Sequence, residues 1–352
     1  MTSKSEINPI SSAAADDDAL LKDGRRATSY DVARLAGVSQ SAVSRVFRDG
    51  GSASTKTRRK VEDAARKLGY APSQIARSLI SQRSRMMAVI VTDLSSRAYP
   101  EILFYLGKEI QETGNRMLVF ARPNDEDIGT VANDILAYHV DGIVSSAVLD
   151  EEFLITCERQ GVPVVLFNRT PSSPRASAVG CDHGTGMSLL INHVVPRNAG
   201  PIAFLAGPEN APVSRDRLAG ARAALAELGR TVDHVVYSDY SFEGGRAAAR
   251  QLMSLPERPR TILCANDTMA LGAMDECRYE YGLSVPQDVA VTGFDDVPQA
   301  AWPSYDLTTL RQPIRRMAHT AVRLLSEQIE GITPAGERRL LAAELMIRGS
   351  AR

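Results

Sequence analysis

An arginine and a carboxylate stand at two places in this sequence where apolar, strand-like runs give way to polar segments. Arg217 precedes an amphipathic segment over residues 218–228, and Asp295 follows an apolar run that ends at Phe294. An arginine side chain offers several N–H donors in a fixed plane, and a carboxylate accepts hydrogen bonds, so the two suit a polyhydroxylated or acidic metabolite. Considered singly, each residue has a plainer alternative as a helix cap or a surface residue.

Residue patterns that would indicate catalysis are absent from the sequence. It has no P-loop, no HExxH and no GxSxG, and Gly184-Thr-Gly186 is only a fragment of GxGxxG, because Leu189 stands where the third glycine belongs. The chain has four cysteines, none in a CxxC pair: Cys157, Cys181, Cys264 and Cys277. Reduced core thiols explain them. We therefore expect no catalytic residue, no metal and no cofactor, although a doubly wound α/β enzyme stays the alternative.

A second group of polar residues follows a glycine–serine corner near the N-terminus. Thr28 is a good helix N-cap, Gly37 can end a first helix with a positive φ, and Ser39 can cap a second helix. The outward positions of the second helix hold Gln40, Ser41, Ser44 and Arg45. Glutamine and arginine can pair bidentately with the edges of adenine and guanine. With a third helix over residues 56–68, the pattern predicts a DNA-reading helix-turn-helix; a plain three-helix bundle is the alternative.

The charge distribution favours the DNA-binding interpretation. Residues 25–85 contain fourteen basic and four acidic residues, a net charge of +10, whereas the whole chain has a net charge of −1. A basic module attached to an acidic remainder is typical of phosphate binding confined to one end of a protein. A solvated charged surface would not need this segregation.

Residues 86–352 alternate strand and helix patterns. The strand candidates are apolar and rich in β-branched residues: 86–92, 116–121, 142–148, 162–168, 201–207, 234–238, 261–266 and 289–294. Amphipathic segments separate them: 101–113, 218–228, 244–254, 269–281 and 314–330. This alternation predicts an α/β fold with buried parallel sheets, and the length favours two lobes with a ligand pocket where the carboxyl ends of the strands meet.

The domain prediction has four parts. Residues 1–24 form a disordered tail, 25–71 the helix-turn-helix domain, 72–85 a hinge helix and linker, and 86–352 the core. The first lobe spans about 86–196 and 310–340, and the second about 197–309 and 341–352. The tail is polar and acidic without the features of a signal peptide, and no apolar run could span a bilayer, so we expect a cytoplasmic protein without a membrane partner. A secreted solute-binding protein is disfavoured for the same reason.

Ordered motifs along the chain resemble the lac repressor/gal repressor family of transcriptional regulators. The headpiece motif runs from Asp31-Val-Ala-Arg-Leu-Ala-Gly-Val-Ser-Gln-Ser-Ala-Val-Ser-Arg-Val46 and is followed by Leu68-Gly-Tyr-Ala-Pro-Ser. Later matches include Cys264-Ala-Asn-Asp-Thr-Met-Ala-Leu-Gly-Ala, Val285-Pro-Gln-Asp-Val-Ala-Val-Thr-Gly-Phe-Asp-Asp and Leu307-Thr-Thr-Leu-Arg-Gln-Pro. The resemblance covers about residues 28–350. It implies a helix-turn-helix headpiece, a hinge helix and a two-lobed core like that of periplasmic sugar-binding proteins.

The resemblance also implies roles on DNA. Residues 40, 41 and 45 match the family's major-groove readers, and Leu79 matches a leucine wedged into the minor groove beside Ala76. Pro72 is well placed to start a short helix, although the apolar stripe that includes Leu79 could instead pack on the core. The DNA-binding set that we predict comprises Thr28, Ser39, Gln40, Ser41, Ser44, Arg45, Ser73, Ala76 and Leu79.

In the core, the resemblance implies an effector site. Arg217, Asn266 and Asp295 match residues that contact the effector, and Tyr240 matches an aromatic residue that stacks on it. A small polar metabolite, a sugar or sugar derivative, would control the binding of a homodimer to operator DNA; whether it releases or promotes binding stays open. His183 stands where an asparagine is common, and titration of this histidine near pH 6–7 is one interpretation.

Overall fold

The computed structural model describes residues 26–48, 51–71, 83–92, 99–122, 134–171 and 173–352. The predicted tail over residues 1–24 and most of the predicted hinge, residues 72–82, lie outside these ranges. The chain divides into two compact units, Met1–Ser84 and Arg85–Arg352. We call the first unit the headpiece and the second the core.

In the part of the headpiece that the structure describes, there are three capped helices. They are α1 (Ser29–Ala36), α2 (Gln40–Val46) and α3 (Thr55–Lys67). A capping box begins α1: the Thr28 hydroxyl accepts a hydrogen bond from the Asp31 N–H at 3.4 Å, and the Asp31 carboxylate accepts one from the Thr28 N–H at 2.9 Å. Gly37, with a φ of 63°, ends α1 in the left-handed conformation that glycine tolerates. The Ser39 hydroxyl then caps α2.

Small apolar side chains let the three headpiece helices approach closely. Their buried cluster comprises Val32, Ala33, Ala36, Val43, Val46, Val61, Ala64 and Ala65. There is no space for a side chain at Gly51, which follows α2, because a Cβ at this position would lie 1.9 Å from the carbonyl oxygen of Arg45. The Arg58 guanidinium donates to the carbonyl oxygen of Val46 at 3.0 Å. Arg58 therefore ties α3 to the end of α2.

The first lobe of the core is a six-stranded sheet with the order β11-β5-β4-β3-β1-β2. All its strand pairs are parallel. The strands are β1 (Met86–Thr92), β2 (Arg116–Arg122), β3 (Gly142–Ser145), β4 (Val164–Phe167), β5 (Ala176–Asp182) and β11 (Arg338–Ala342). The helices between them are α4 (Tyr99–Glu112) and α5 (Glu151–Arg159), whereas α6 (His183–Val194) follows β5 but packs on the helix Pro212–Glu227 of the second lobe. Residues 134–137 are also helical.

The second lobe is a four-stranded parallel sheet with the order β7-β6-β8-β9. Its strands are β6 (Ile202–Ala206), β7 (His234–Tyr237), β8 (Thr261–Cys264) and β9 (Ala290–Thr292). Its helices are α7 (Pro212–Glu227), α8 (Phe242–Met253) and α9 (Asp267–Asp275), and α9 continues into a π-helical turn, Glu276–Glu280. Strands β6 and β8 are buried throughout, as parallel strands covered on both faces must be.

Two short strands belong to neither of these two sheets. β10 (Thr309–Arg311) and β12 (Glu344–Met346) form an antiparallel pair. Between them, α10 (Ile314–Ile329) packs on α4, β3 and β4 of the first lobe, and β11 joins that lobe's sheet. The chain therefore returns to the first lobe after β10.

The predicted fold class is confirmed: the chain has a helix-turn-helix headpiece and a core with parallel sheets. All eight strand candidates contain strands. The sequence analysis missed β5, whose run Ala-Ser-Ala-Val-Gly-Cys-Asp has a single β-branched residue. It also missed α5, α6 and the short strands β10, β11 and β12. The predicted lobe boundaries stay predictions.

Candidate ligand site and nucleic-acid interface

Arg217 lies at the centre of a buried polar cluster in the core. Arg217 lies on α7 and is only 3% exposed. The Nη2 group donates to Oδ1 of Asp295 at 3.1 Å, and Nη1 donates to the carbonyl oxygen of Ala265. The guanidinium also lies over the Phe294 ring, 3.7 Å from its centroid. These contacts hold the plane of the guanidinium in one orientation, which a ligand would meet preorganised.

Asp295 presents one carboxylate oxygen to the protein and leaves the other available. Its Oδ1 accepts hydrogen bonds from Arg217 and from Nε2 of Gln312, the latter at 2.7 Å. Within the described part of the chain, Oδ2 accepts none. Burial raises the pKa of Asp295, and Arg217 and Gln312 oppose that shift. A hydroxyl donor from a ligand would add a hydrogen bond to Oδ2 and stabilise the charged form.

His183, at the start of α6 and directly after β5 of the first lobe, belongs to the same cluster. The Nε of Arg217 donates to its Nδ1 at 3.5 Å, and its ring packs edge-on against Phe294 with centroids 5.2 Å apart. Burial and then the charges of Arg217 and Arg169 lower the pKa of His183 to about 2. The imidazole is therefore neutral at physiological pH, and the interpretation that it titrates near pH 6–7 is wrong. With Nδ1 accepting, its proton resides on Nε2.

Asn266 and Tyr240 lie beside one another, and the polar atoms of the Asn266 side chain serve the fold. Oδ1 of Asn266 accepts from the N–H of Met269 at 2.9 Å and so caps α9, and its Nδ2 donates to the carbonyl oxygen of Tyr240 at 3.1 Å. The Tyr240 ring covers Gly207, where a Cβ would lie 2.1 Å from Cζ. Asn266 thus acts as the helix cap that was its plainer alternative, and it holds Tyr240 in place.

The Tyr240 hydroxyl is a buried donor whose partner is missing. Among the described residues it forms no hydrogen bond. Burial raises the pKa of this phenol, and Arg217 and then Ser214 oppose the shift, yet no hydrogen bond with good geometry joins the hydroxyls of Ser214 and Tyr240. A buried hydroxyl without a partner is costly, so a ligand oxygen that accepts from it would relieve that cost.

These residues come from the carboxyl ends of strands in both sheets. Tyr240, Asn266 and Asp295 follow β7, β8 and β9 of the second lobe, and His183 directly follows β5 of the first. Ligands bind at this edge of open α/β sheets. The structure therefore brings together all four residues of the predicted effector set, Arg217, Tyr240, Asn266 and Asp295.

Three further residues of the cluster were not in the predicted set. Gln312 donates to Asp295 and accepts from Nδ2 of Asn168 at 3.1 Å, which links the first lobe to the site. Phe294 supplies the ring beneath Arg217. Asn168 has a φ of 55°, and such a value at a residue other than glycine often marks a functional position. Gln312 stands in the motif Leu-Arg-Gln-Pro, which was the available signal.

In the headpiece, α2 presents part of the predicted DNA-binding set to solvent. Ser41 and Arg45 are exposed, whereas Gln40 and Ser44 are half-buried. Nε2 of Gln40 donates to the Ser29 hydroxyl at 3.4 Å, a long hydrogen bond that a base edge could replace. Thr28 and Ser39 serve as helix caps. The remaining members, Ser73, Ala76 and Leu79, lie outside the described residues.

Among the described residues 26–48 and 51–71 of the headpiece, nine basic side chains are exposed. They are Arg26, Arg34, Arg45, Arg48, Lys56, Arg59, Lys60, Arg66 and Lys67. Arg58, on α3 with Arg59 and Lys60, instead donates within the headpiece. No group of three or more potential metal ligands is clustered in the described part of the chain. Among the same residues, no helix has the length and apolar character needed to cross a membrane.

Sequence comparisons place both units in known families. A model of bacterial regulatory proteins of the lacI family matches residues 28–73, and a model of the periplasmic binding protein-like domain matches residues 191–351. The fold and the site thus define a DNA-binding regulator whose core resembles periplasmic binding proteins.

Curated relatives extend the similarity over nearly the whole chain. The transcriptional repressor CytR of Escherichia coli K12 is 33% identical over 333 residues, which cover 93% of this chain and 96% of CytR. The ribose operon repressor of the same organism is 32% identical and covers 92% of this chain and 100% of its own. The regulator CelR of Thermobifida fusca is 30% identical and covers 93% and 98%. The protein belongs to the LacI family.

Solved structures agree with this assignment. The lac repressor dimer bound to operator and the anti-inducer ONPF has a TM-score of 0.85 at 30% identity, covering 93% of this chain and 99% of that one. The complex of the transcriptional regulator CelR with cellobiose has a TM-score of 0.69 at 29% identity, covering 93% and 100%. The chain is thus a transcriptional regulator with a headpiece for DNA and a core for an effector.

Proposed function

We propose that this protein is a repressor that binds operator DNA through α2 and releases or retains it according to a sugar or sugar derivative bound around Arg217 and Asp295. The observation that carries the proposal is the buried Arg217–Asp295 pair, beside which Oδ2 of Asp295 and the Tyr240 hydroxyl have no hydrogen-bond partner among the described residues. One acceptor and one donor at fixed positions suit the hydroxyl groups of a carbohydrate.

The charge of the site favours a neutral ligand. The positive charge of Arg217 is balanced by Asp295 at 3.1 Å, so an acidic metabolite would find no uncompensated cation in this pair. The ring of Phe294 supplies an apolar surface beside the polar groups. Ribose and cellobiose are the first compounds to test, because relatives are named as the ribose operon repressor and as a complex of CelR with cellobiose.

On DNA, we propose that Gln40, Ser41, Ser44 and Arg45 read base edges, with Thr28 and Ser39 at the phosphate backbone. Ser73, Ala76 and Leu79 would act in the minor groove, where an apolar wedge bends the duplex. Leu79→Ala should then reduce bending in a circular-permutation gel assay while circular dichroism stays that of the wild type. Unchanged bending would contradict the wedge.

The protein should act in the cytoplasm as a homodimer and not as an enzyme. Dimers place two headpieces on half-sites about one helical turn apart. We further propose that the helices over residues 100–113 and 269–281 form the dimer interface, because each exposes a large aromatic ring: Phe104 is 66% exposed and Tyr279 is 76% exposed. Sedimentation of the full chain as a monomer or as a tetramer would contradict this assembly.

The decisive test measures operator affinity with and without ligand. An operator selected from random DNA by the full-length protein is titrated with wild type, Asp295→Ala and the control Glu227→Ala, an exposed carboxylate on the same lobe. Ribose or cellobiose should change the operator Kd of wild type and of Glu227→Ala. Asp295→Ala should not respond, because losing a buried hydrogen-bonded charge weakens a ligand by about 2–5 kcal/mol. A normal response of Asp295→Ala would place the effector elsewhere.

A further inference from the structure

Asp296, the residue after Asp295, has both carboxylate oxygens in ion pairs with different arginines. Oδ2 accepts from Nε of Arg311 at 2.7 Å, and Oδ1 accepts from Nη2 of Arg348 at 2.6 Å. The Asp296 side chain is only 5% exposed. Both oxygens are thus engaged by these arginines, and Asp296 was not in the predicted effector set.

The two arginines belong to the segments that connect the lobes. Arg311 ends β10, and Arg348 lies two residues after β12, the antiparallel partner of β10. Arg348 is held further by its own N–H, which donates to Oγ1 of Thr308 at 2.9 Å, and by Nη1, which donates to the carbonyl oxygen of Leu307 at 2.8 Å. We call the three side chains Asp296, Arg311 and Arg348 the clasp.

The backbone between the clasp and the ligand site is strained. Asp295 has a φ of 128° and Asp296 a φ of 59°, so two consecutive residues other than glycine occupy the left-handed half of the φ range. Such a conformation persists only where surrounding contacts enforce it. The N–H of Asp295 donates to the carbonyl oxygen of Leu310 at 2.8 Å, which docks this turn on the residue before Arg311.

The clasp and the ligand site share the same short stretch of chain. Arg311 pairs with Asp296, and the next residue, Gln312, donates to Oδ1 of Asp295 at 2.7 Å. Arg311 and Gln312, at the end of β10, thus hold the two neighbouring aspartates. A shift of the Asp296 carboxylate would move the Asp295 backbone, and the Asp295 carboxylate would lose its alignment with Arg217.

We propose that Asp296 is a positioning residue for the effector site, because its two ion pairs with Arg311 and Arg348 hold the strained turn that aims the Asp295 carboxylate at Arg217. Its part in ligand binding rests on the function proposed above, whereas its control of the turn does not. If the ion pairs of Asp296 only stabilised the lobe as a whole, their removal would leave the local geometry of Asp295 unchanged.

The first arm of the test needs no ligand. Hydrogen–deuterium exchange is followed in the full-length protein for peptides that span residues 294–302, with peptides of α8 in the same lobe as the internal reference. Asp296→Asn keeps the shape of the side chain and tolerates a positive φ, but removes the charge that both arginines contact. Exchange over 294–302 should rise at least tenfold while α8 keeps its protection. The matched control is Glu344→Gln, a carboxylate 3.6 Å from Arg311 and 68% exposed, which should exchange like wild type.

The second arm measures ligand affinity by calorimetry with ribose and cellobiose as probes. Where a probe binds wild type, Asp296→Asn should weaken it at least tenfold and Glu344→Gln less than twofold. Where neither probe binds wild type, the carbohydrate proposal fails for these two compounds, and the exchange arm alone decides on the clasp. Should Asp296→Asn not fold, Arg311→Lys replaces it, since it keeps the charge and breaks the geometry at Nε. Exchange over 294–302 equal to wild type, or a rise shared equally by α8, would overturn the proposal.

Discussion

The headpiece and the core build their sites in opposite ways. The α2 positions proposed to read DNA lie within six consecutive residues of one helix, and Ser41 and Arg45 point into solvent. The ligand site of the core collects His183, Arg217, Asp295 and Gln312 from separate segments, and each is buried or nearly so. The first site is complete once a short helix forms, whereas the second exists only after both lobes have folded.

The two sites should therefore respond differently to mutation. An exposed side chain on α2 contacts few other residues, so its loss should affect DNA binding and leave stability almost unaltered. In the core, Arg217 contacts Asp295, Ala265, His183 and Phe294 together, so any single loss leaves a buried group unsatisfied. The predictions below set one type of site against the other.

The largest expected effect is on stability, at the centre of the core site. Arg217→Met removes one partner of a buried ion pair and should lower the free energy of unfolding by about 3–5 kcal/mol, because Asp295 is left buried without its counter-charge. Arg215→Met, two residues away on the same helix but exposed, is the matched control and should change it by less than about 0.5 kcal/mol. Equal urea midpoints for the two variants would show that the pair contributes no stability.

We expect the stability of the core to depend on pH through His183, a dependence that the headpiece should not show. Its pKa is about 2 in the folded protein against 6.5 for an unperturbed histidine, so below pH 6.5 the unfolded chain binds a proton that the folded one does not, and stability falls. His183→Asn removes this loss. The free energy of unfolding of His183→Asn minus that of wild type should therefore be larger at low pH than at pH 8. The increase should be about 1.4 kcal/mol for each pH unit below 6.5, or about 2 kcal/mol at pH 5.

Comparing the variant with wild type separates the contribution of His183 to the pH dependence from that of a second buried group, Asp267. Burial and then the charge of Asp295 raise the pKa of Asp267 to about 7, so the folded protein binds a proton there between about pH 4 and 7, and stability falls as pH rises. That slope has the opposite sign and is common to both proteins. Urea denaturation at pH 8 and pH 5 measures the difference; a value independent of pH would mean that His183 is not buried as a neutral group.

On the headpiece, Arg45→Ala should weaken the operator by about 1–3 kcal/mol and relax the preference at one base position, with no change in the melting temperature. Lys60→Ala is the comparison, because an exposed lysine that contacts phosphate should weaken all DNA sequences alike. Fluorescence anisotropy with the operator and with its single-base variants separates the two. Uniform loss across sequences in Arg45→Ala would remove this arginine from the set of base readers.

The smallest effect separates two adjacent arginines on α3. Arg58 donates to the carbonyl oxygens of Val46 at 3.0 Å and of Gly51 at 3.4 Å, so Arg58→Ala should destabilise the headpiece by about 1 kcal/mol. Arg59 is exposed, and Arg59→Ala should instead lower the slope of log K against log salt by about 1 if it contacts a phosphate. Thermal melts and salt titrations of both variants check this; identical behaviour would erase the distinction.

Sequence reading was most successful where contacts are local. Thr28, Gly37 and Ser39 each predicted a helix boundary, and each lies at that boundary in the structure, because a cap hydrogen bond or a left-handed turn involves residues only three or four positions apart. The same reasoning could not see that Arg58 turns inward, since its acceptors on Val46 and Gly51 become available only when α3 packs against α2.

The sequence alone was sufficient to predict eight of the strands, the alternation of strands with helices, the basic headpiece and the family to which the chain belongs, because hydrophobic periodicity, capping residues and contiguous motifs are properties of neighbouring residues. Which polar groups meet depends on the tertiary structure. It brought His183 to Arg217 and made it neutral, recruited Gln312 to Asp295, and fixed Asp296 between Arg311 and Arg348. These pairs are separated by 15 to 52 positions. The lowered pKa of His183 and the raised pKa of Asp295 arise chiefly from burial, which no local pattern encodes.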